Sequence, residues 1–204
     1  MLVALAGALA LVASVGAHAV LVSSGAACPM RPPSAEALED QRQHALPTLR
    51  GEAASPSMEA FGFALGVTTR ASFMATRAAG GDRCEDELDG ALVTCEGSNG
   101  ELVARFDPSG ALVGADRMRY VSDAAEAALL FREIAAAEAV RFGAPSRSWG
   151  SSSSSYLAEP LRQVGVAYRF VDVAVDLSAT HLGPGRIAVR EQMRSIPHRA
   201  ARGG

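Results

Sequence analysis

The sequence predicts an α+β fold in which helices pack on one face of an antiparallel meander sheet and a helix-then-strands order is repeated twice. Three observations predict it. An apolar stripe with helical spacing runs through residues 124–142, turn dipeptides separate short apolar segments, and residues 171–180 alternate between apolar and mostly polar side chains. Residues 58–196 are expected to form a single domain of this kind.

The first 28 residues differ from the rest of the chain, because 21 of them are hydrophobic and the first charged side chain is Arg31. Residues 29–204 are about 45% hydrophobic and 23% charged, as is usual for a globular protein. The apolar run over residues 1–22 is long enough to cross a bilayer as a helix. We therefore expect residues 1–28 to be a signal peptide, a lipoprotein signal or a membrane anchor, and the protein to be exported to the cell envelope.

Residues 25–28 resemble the lipobox of bacterial lipoproteins, in which small residues precede a cysteine that becomes acylated. The family pattern has a branched apolar residue three positions before the cysteine, where this chain has Gly25. Cys28 is a lipidation candidate on this ground, and a plain secretory signal or a retained anchor are the alternatives. Three cysteines in an oxidising compartment leave one unpaired, which acylation of Cys28 explains.

Residues 29–57 have the composition of a flexible spacer, rich in Pro, Ala, Ser and mixed charge. The domain then begins with a short helix, for which Thr68 is the expected N-cap and Gly80 the end. Four strands follow, separated by turn signals at residues 89–90, 97–100 and 107–110. They predict an antiparallel meander.

The second half of the domain repeats the order. Ser122 and Asp123 are expected to open a helix that ends at Gly143, with the charged residues Arg132, Glu133 and Glu138 on its solvent side. The serines of residues 151–155 predict a flexible loop. Two strands around residues 183–185 complete the domain, and residues 197–204 are expected to be a disordered tail.

The passage from residues 65–68 into a short helix, a meander and a second helix closing at residues 141–145 resembles small exported two-layer proteins. These include proteins related to the assembly lipoproteins of the outer-membrane barrel-insertion machinery, and similarly built inhibitor modules. The resemblance covers residues 61–196 and rests on spacing. It implies helices on one face of an antiparallel sheet and a function in binding other proteins, without catalytic residues.

Cys84 and Cys95 lie symmetrically about the Asp89–Gly90 turn, so an in-register hairpin places them opposite each other. We expect a disulfide that stabilises the fold by about 2–3 kcal/mol. A two-residue loop puts the pair at a hydrogen-bonded position, whereas a four-residue loop puts it at the closer, non-hydrogen-bonded one. The neighbouring acidic residues 85–89 are interpreted as a solvated hairpin tip and not as a calcium loop.

Several kinds of chemistry are absent from the sequence. All 19 basic residues are arginines, which excludes a P-loop lysine, a kinase-type lysine and a Schiff base. A net charge of −3 gives no electrostatic case for nucleic acid, and no cofactor or metal motif is present. His181 is the one histidine of the domain, and with Glu191 it forms the only acid/base pair that strand parity allows.

Arg117, Arg119, Tyr120 and Trp149 are the candidate protein-binding residues, because arginine and large aromatic side chains are favoured at interface hot spots. The alternatives are solvated strand edges for the arginines and a lid over the second helix for Trp149. We expect a non-enzymatic, membrane-tethered or exported envelope protein that binds an envelope protein or another envelope component. A small secreted enzyme using His181 and Glu191, and a purely structural or dimerising anchor, are the alternatives.

Overall fold

A computed structural model of the protein describes Ser34, Glu36 and residues 50–196. The chain divides into two compact units, Met1–His44 and Ala45–Gly204, and residues 50–196 belong to the second. The predictions for the leader, for Cys28, for most of the spacer and for the tail therefore lie outside the described residues. Among the residues that are described, none belongs to a helix long and apolar enough to span a bilayer.

Residues 50–196 contain ten strands and three α-helices. The strands are β1 (Glu59–Ala60), β2 (Phe63–Ala64), β3 (Arg83–Glu87), β4 (Leu92–Gly97), β5 (Gly100–Phe106), β6 (Leu112–Val121), β7 (Arg147–Trp149), β8 (Gln163–Arg169), β9 (Val173–Gly183) and β10 (Arg186–Ser195). The helices are α1 (Arg70–Ala79), α2 (Ala124–Phe142) and α3 (Ser154–Leu157), and a 3-10 turn covers Leu88–Gly90.

Strands β3 to β10 form one eight-stranded antiparallel sheet in the order β3-β4-β5-β6-β10-β9-β8-β7. The prediction of helices packed on one face of a meander, in a repeated helix-then-strands order, is wrong. The described residues are 44% strand and 25% helix, and residues 50–196 contain only three α-helices, so the large sheet is the main feature. The physical reason is that β6 pairs with β10 from Ile187↔Val121 to Arg194↔Gly114, which merges the two strand groups into one continuous sheet.

Local signals place the helix ends. The side chain of Thr69, one residue after the expected cap, accepts a hydrogen bond from the Ser72 N–H and caps α1, which ends before Gly80. Asp123 caps α2 by accepting from the N–H groups of Ala125 and Glu126. Part of the serine run, expected as a loop, forms α3, for which Ser153 is the cap.

The disulfide between Cys84 and Cys95 is confirmed and joins β3 to β4. The hairpin closes at Glu87↔Leu92, which leaves a four-residue loop. The Cα atoms of the two cysteines are 4.0 Å apart, the short spacing of a non-hydrogen-bonded pair. Of the two registers that the sequence allowed, the structure has the one better suited to a bridge.

Both hydrophobic clusters lie on one face of the sheet, which we call the core face. The first cluster joins Phe73 of α1 to the sheet through the rings of Phe63 and Phe106, at centroid distances of 4.6 and 5.7 Å. The second packs α2, through Phe131 and its neighbours, on Leu177 of β9 and its neighbours. The alternating side chains of the same strands form the other face, which we call the open face.

Candidate functional site

A cluster of charged side chains lies on the core face beneath the C-terminal half of α2. Arg117 donates from Nε and Nη2 to the two carboxylate oxygens of Glu191, both at 2.8 Å. Arg119 donates from Nη2 to the same carboxylate at 3.0 Å. Glu191 is only 6% exposed, and its carboxylate neutralises one of two neighbouring arginines. We call Arg117, Arg119, Glu191 and the adjacent Glu138 the charge cluster.

Glu138 enters the charge cluster from α2. Its side chain is 15% exposed, it lies 3.9 Å from an Arg141 nitrogen, and its Oε2 is buried with no hydrogen-bond partner. Burial raises the pKa of Glu138, the Glu191 carboxylate raises it further, and the arginines Arg141 and Arg117 oppose the rise. The pKa of this carboxyl group is therefore higher in the folded protein than in the unfolded chain.

A small pocket separates Glu138 from Glu191 and has room for about one water molecule, roughly 10 Å³. The ring of Phe61 lines it and also stacks under the Arg117 guanidinium at 4.6 Å from the ring centroid. Phe61 has a φ of 54°, in the left-handed region that non-glycine residues seldom adopt, because it forms the tight β1–β2 turn with Gly62. The pocket is too small for an organic substrate.

The Glu138→Gln variant is expected to be more stable than the wild type by about 1 kcal/mol at neutral pH, because a buried, incompletely paired carboxylate is replaced by a neutral amide. Because the pKa of Glu138 is higher in the folded protein than in the unfolded chain, neutral Glu138 contributes its full stability only when the pH is below the pKa of the unfolded chain. That stability is lost as pH rises through the folded pKa. Urea unfolding of both proteins at pH 7 and pH 4 is therefore expected to show that their difference in the free energy of unfolding is smaller at pH 4. An equal difference in the free energy of unfolding at the two pH values contradicts this account.

The structure does not bring the candidate acid/base pair together. His181 and Glu191 both point to the core face, but β9 and β10 pair Glu191 with Leu177 and His181 with Ile187. This register separates the two side chains by four positions along the strands, or about 13 Å. His181 is buried, and its Nε2 hydrogen-bonds with the Gly183 carbonyl at 2.8 Å.

Arg117 and Arg119 were singled out as binding residues, and the structure places both in the charge cluster, where Glu191 engages them. Tyr120 and Trp149 lie on the open face instead. Register places Tyr120 in line with Ala188 across the β6–β10 pair, and Trp149 opposite Gly165. The indole covers Gly165 so closely that a Cβ there would lie 2.1 Å from a ring carbon. Trp149 is thus part of the sheet surface and not a lid over α2.

Ion pairs cross the centre of the open face. Arg190 donates from Nε to both carboxylate oxygens of Asp116 at 2.9 Å, and this hydrogen bonding raises the pKa of Arg190. Arg169 pairs with Asp176 at 2.5 Å. Small residues lie between these long side chains. These small residues are buried although they lie on the open face, because the neighbouring long side chains cover them. They are Gly114, Gly165, Ala167, Ala174 and Ala188.

A row of arginines crosses one end of the open face. Strand pairing aligns Arg169, Ala174, Arg194, Gly114 and Arg105 on five adjacent strands, so an arginine occupies every second position. Consecutive arginines are therefore about 10 Å apart at the backbone. Arg105 and Arg194 are exposed and form no ion pair with any carboxylate in residues 50–196. We call Arg105, Arg169 and Arg194 the arginine row.

Two carboxylates of the acidic β3–β4 hairpin accept hydrogen bonds from neighbouring side chains of the folded unit. Asp86 accepts from Arg70 of α1 at 2.5 Å, and Glu87 accepts from the Thr94 hydroxyl at 3.0 Å. Nowhere in the described part of the chain do three or more metal-ligating side chains converge.

Sequence reasoning missed Glu138 and the arginine row. The sequence analysis predicts Glu138 on the solvent side of α2, yet Glu138 follows Phe131 by seven residues and precedes Phe142 by four, a spacing that predicts the buried stripe. The arginine row has no local signal, because its members come from strands far apart in the sequence.

No family model matches the chain, and no curated protein or solved structure is significantly similar to it.

Proposed function

We propose that the folded unit is a non-enzymatic binding module of the cell envelope, and that its open face binds an acidic protein or another acidic envelope component. The arginine row carries this proposal. Two of its guanidinium groups are exposed and have no ion-pair partner within residues 50–196, and they lie beside the ion pairs of the central open face. The proposal includes export and membrane attachment by the predicted leader of residues 1–28.

Arginine suits such a surface because its planar guanidinium group forms two parallel hydrogen bonds with a carboxylate or phosphate. Gly114 and Ala174 are the residues between the arginines in this row, so no charged or bulky side chain stands between neighbouring arginines. Tyr120 and Trp149 add aromatic contact area elsewhere on the open face, as expected at an interface. Arg169 differs from the other two because Asp176 already engages it.

Two other functions fit the site less well. An enzyme using His181 and Glu191 needs the two groups within hydrogen-bonding reach through a substrate, and the strand register separates them by about 13 Å. A purely structural or dimerising anchor needs no exposed, unpaired charge on the open face. The arginine row therefore favours the binding module over both alternatives.

The double variant Arg105→Glu/Arg194→Glu tests the proposal. A partner is first isolated from an envelope extract by capture on the wild-type chain, then purified and titrated against both proteins. Because two attractive charges become repulsive, the variant is expected to bind about tenfold or more weakly, and wild-type binding is expected to weaken with added salt.

Arg70→Glu/Arg132→Glu is the matched control. It changes the net charge equally, at a partly exposed position on α1 and an exposed position on α2, and both helices pack on the core face. Its binding is expected to stay within about twofold of the wild type. Equal losses in the two double variants, or no loss in the first, would contradict the assignment of the open face.

A further inference from the structure

Two exposed aliphatic side chains lie next to each other at the end of the sheet opposite the arginine row. Leu161, in the turn between α3 and β8, is 84% exposed, and Leu182, near the end of β9, is 49% exposed. The Leu161 N–H donates to the His181 carbonyl at 3.2 Å, and the His181 N–H donates to the Arg162 carbonyl at 2.9 Å. These bonds fix the turn against the end of β9.

The backbone of Leu161 is held in an uncommon conformation. Its φ is 61°, in the left-handed region, where glycine or asparagine fits at lower cost than a branched side chain. The turn thus carries a large apolar residue at a strained position, and that residue packs little of its surface against the protein. Folding stability alone explains neither the strain nor the exposure.

An aromatic ring and two cations accompany the leucines. Tyr120 is 47% exposed on β6, and the Arg186 guanidinium at the start of β10 stacks over its ring at 4.5 Å. Arg186 has no carboxylate partner in residues 50–196. Arg162 stacks on Tyr156 at 5.2 Å and pairs with the exposed Glu159. This end of the sheet therefore combines aliphatic and aromatic surface with two exposed arginines, one of which is paired with Glu159.

We infer that this apolar tip, formed by Leu161, Leu182, Tyr120, Arg162 and Arg186, contacts the surface of an anionic phospholipid membrane. Aliphatic side chains partition into the acyl boundary, a tyrosine ring takes the headgroup level, and arginine heads bind lipid phosphates. None of the five residues of the tip lines either of the two pockets described for residues 50–196.

The membrane contact goes beyond the proposed function, because it concerns lipid and a different end of the open face. The two claims are separable. Loss of lipid contact through the tip leaves the arginine row intact, and reversal of the arginine row leaves the tip intact. A membrane contact made by the folded unit itself adds to whatever attachment the leader supplies.

A tryptophan reporter at the tip tests the inference in the full chain. In a Trp149→Phe background, the substitution Leu182→Trp puts the reporter indole at the tip, and Val140→Trp puts it on the exposed outer side of α2. Both proteins are mixed with phosphatidylcholine vesicles and with vesicles that also contain phosphatidylglycerol. Emission from position 182 is expected to shift to the blue with the anionic vesicles and to be quenched by brominated lipid, whereas emission from position 140 is expected to stay unchanged.

Two further variants separate the apolar contribution to membrane binding from the electrostatic one. Adding Leu161→Asp is expected to abolish the shift at position 182, and Arg162→Glu/Arg186→Glu is expected to weaken vesicle partitioning about tenfold. No shift at position 182, or equal shifts at positions 182 and 140, overturns the inference. If Leu161→Asp instead lowers binding of the captured partner and the vesicles cause no shift, the tip is a protein contact and the lipid assignment is wrong.

Discussion

The Glu191→Ala variant is expected to lose about 3–5 kcal/mol of folding stability, one of the two largest effects that the structure predicts. Glu191 is the carboxylate to which both Arg117 and Arg119 donate, and it is almost fully buried. Removing it leaves two arginine charges on the core face without their shared counter-ion. The Nε of Arg119 already has no partner, so the arginines have little alternative hydrogen bonding.

Urea unfolding at pH 7 measures this loss of stability, and two further variants test whether unpaired buried charge causes it. The triple change Arg117→Met/Arg119→Met/Glu191→Leu removes the charges together and is expected to recover most of the stability. Glu96→Ala breaks the exposed ion pair with Arg83 and is expected to cost less than about 1 kcal/mol. A loss below about 1 kcal/mol for Glu191→Ala would show that the charge cluster is not the buried network described above.

The Phe73→Ala variant is expected to lose a similar 3–5 kcal/mol, because it creates a cavity where α1 meets the sheet. Phe73 is 0% exposed, and its ring contacts those of Phe63 and Phe106. The three rings join the β1–β2 hairpin, α1 and the β3–β6 half of the sheet. Deleting the central ring therefore weakens all three attachments.

Thermal or urea unfolding measures the effect, and Met74→Ala on the same helix is the matched control. Met74 is partly buried at the edge of the same cluster, so its truncation is expected to cost less than half as much. A loss for Phe73→Ala no greater than that for Met74→Ala would mean that α1 does not depend on this ring contact.

Local features could be predicted from the sequence. Turn dipeptides placed the four strands of the first group, and symmetry about Asp89–Gly90 placed the Cys84–Cys95 disulfide. Asp123 and Gly143 were found as the ends of α2 because capping depends on neighbouring residues. Each of these signals lies within a few residues of the feature that it determines.

The arrangement of the sheet could not be predicted, because the pairing of β6 with β10 joins residues more than 60 positions apart along the chain. No turn residue determines that register.

The charge cluster could not be predicted for the same reason, because its members are distant in the sequence. Arg117 and Arg119 were expected on a surface because they are charged, and only the distant Glu191 makes their position on the core face tolerable.

The two faces of the sheet therefore have different roles in this account. The core face holds the hydrophobic clusters and the charge cluster, in which Arg117 and Arg119 share the Glu191 carboxylate. The open face holds the arginine row, in which the exposed Arg105 and Arg194 are available to a partner. The central claim is that binding takes place on the open face.

Site-specific crosslinking tests that claim most directly. A photoreactive side chain replaces Met118, which lies on the open face between strands β5 and β10, or Val140 on the outer side of α2. Each protein is irradiated with the captured partner. The account predicts a crosslink to the partner from position 118 and none from position 140. Crosslinking from position 140 alone would contradict it.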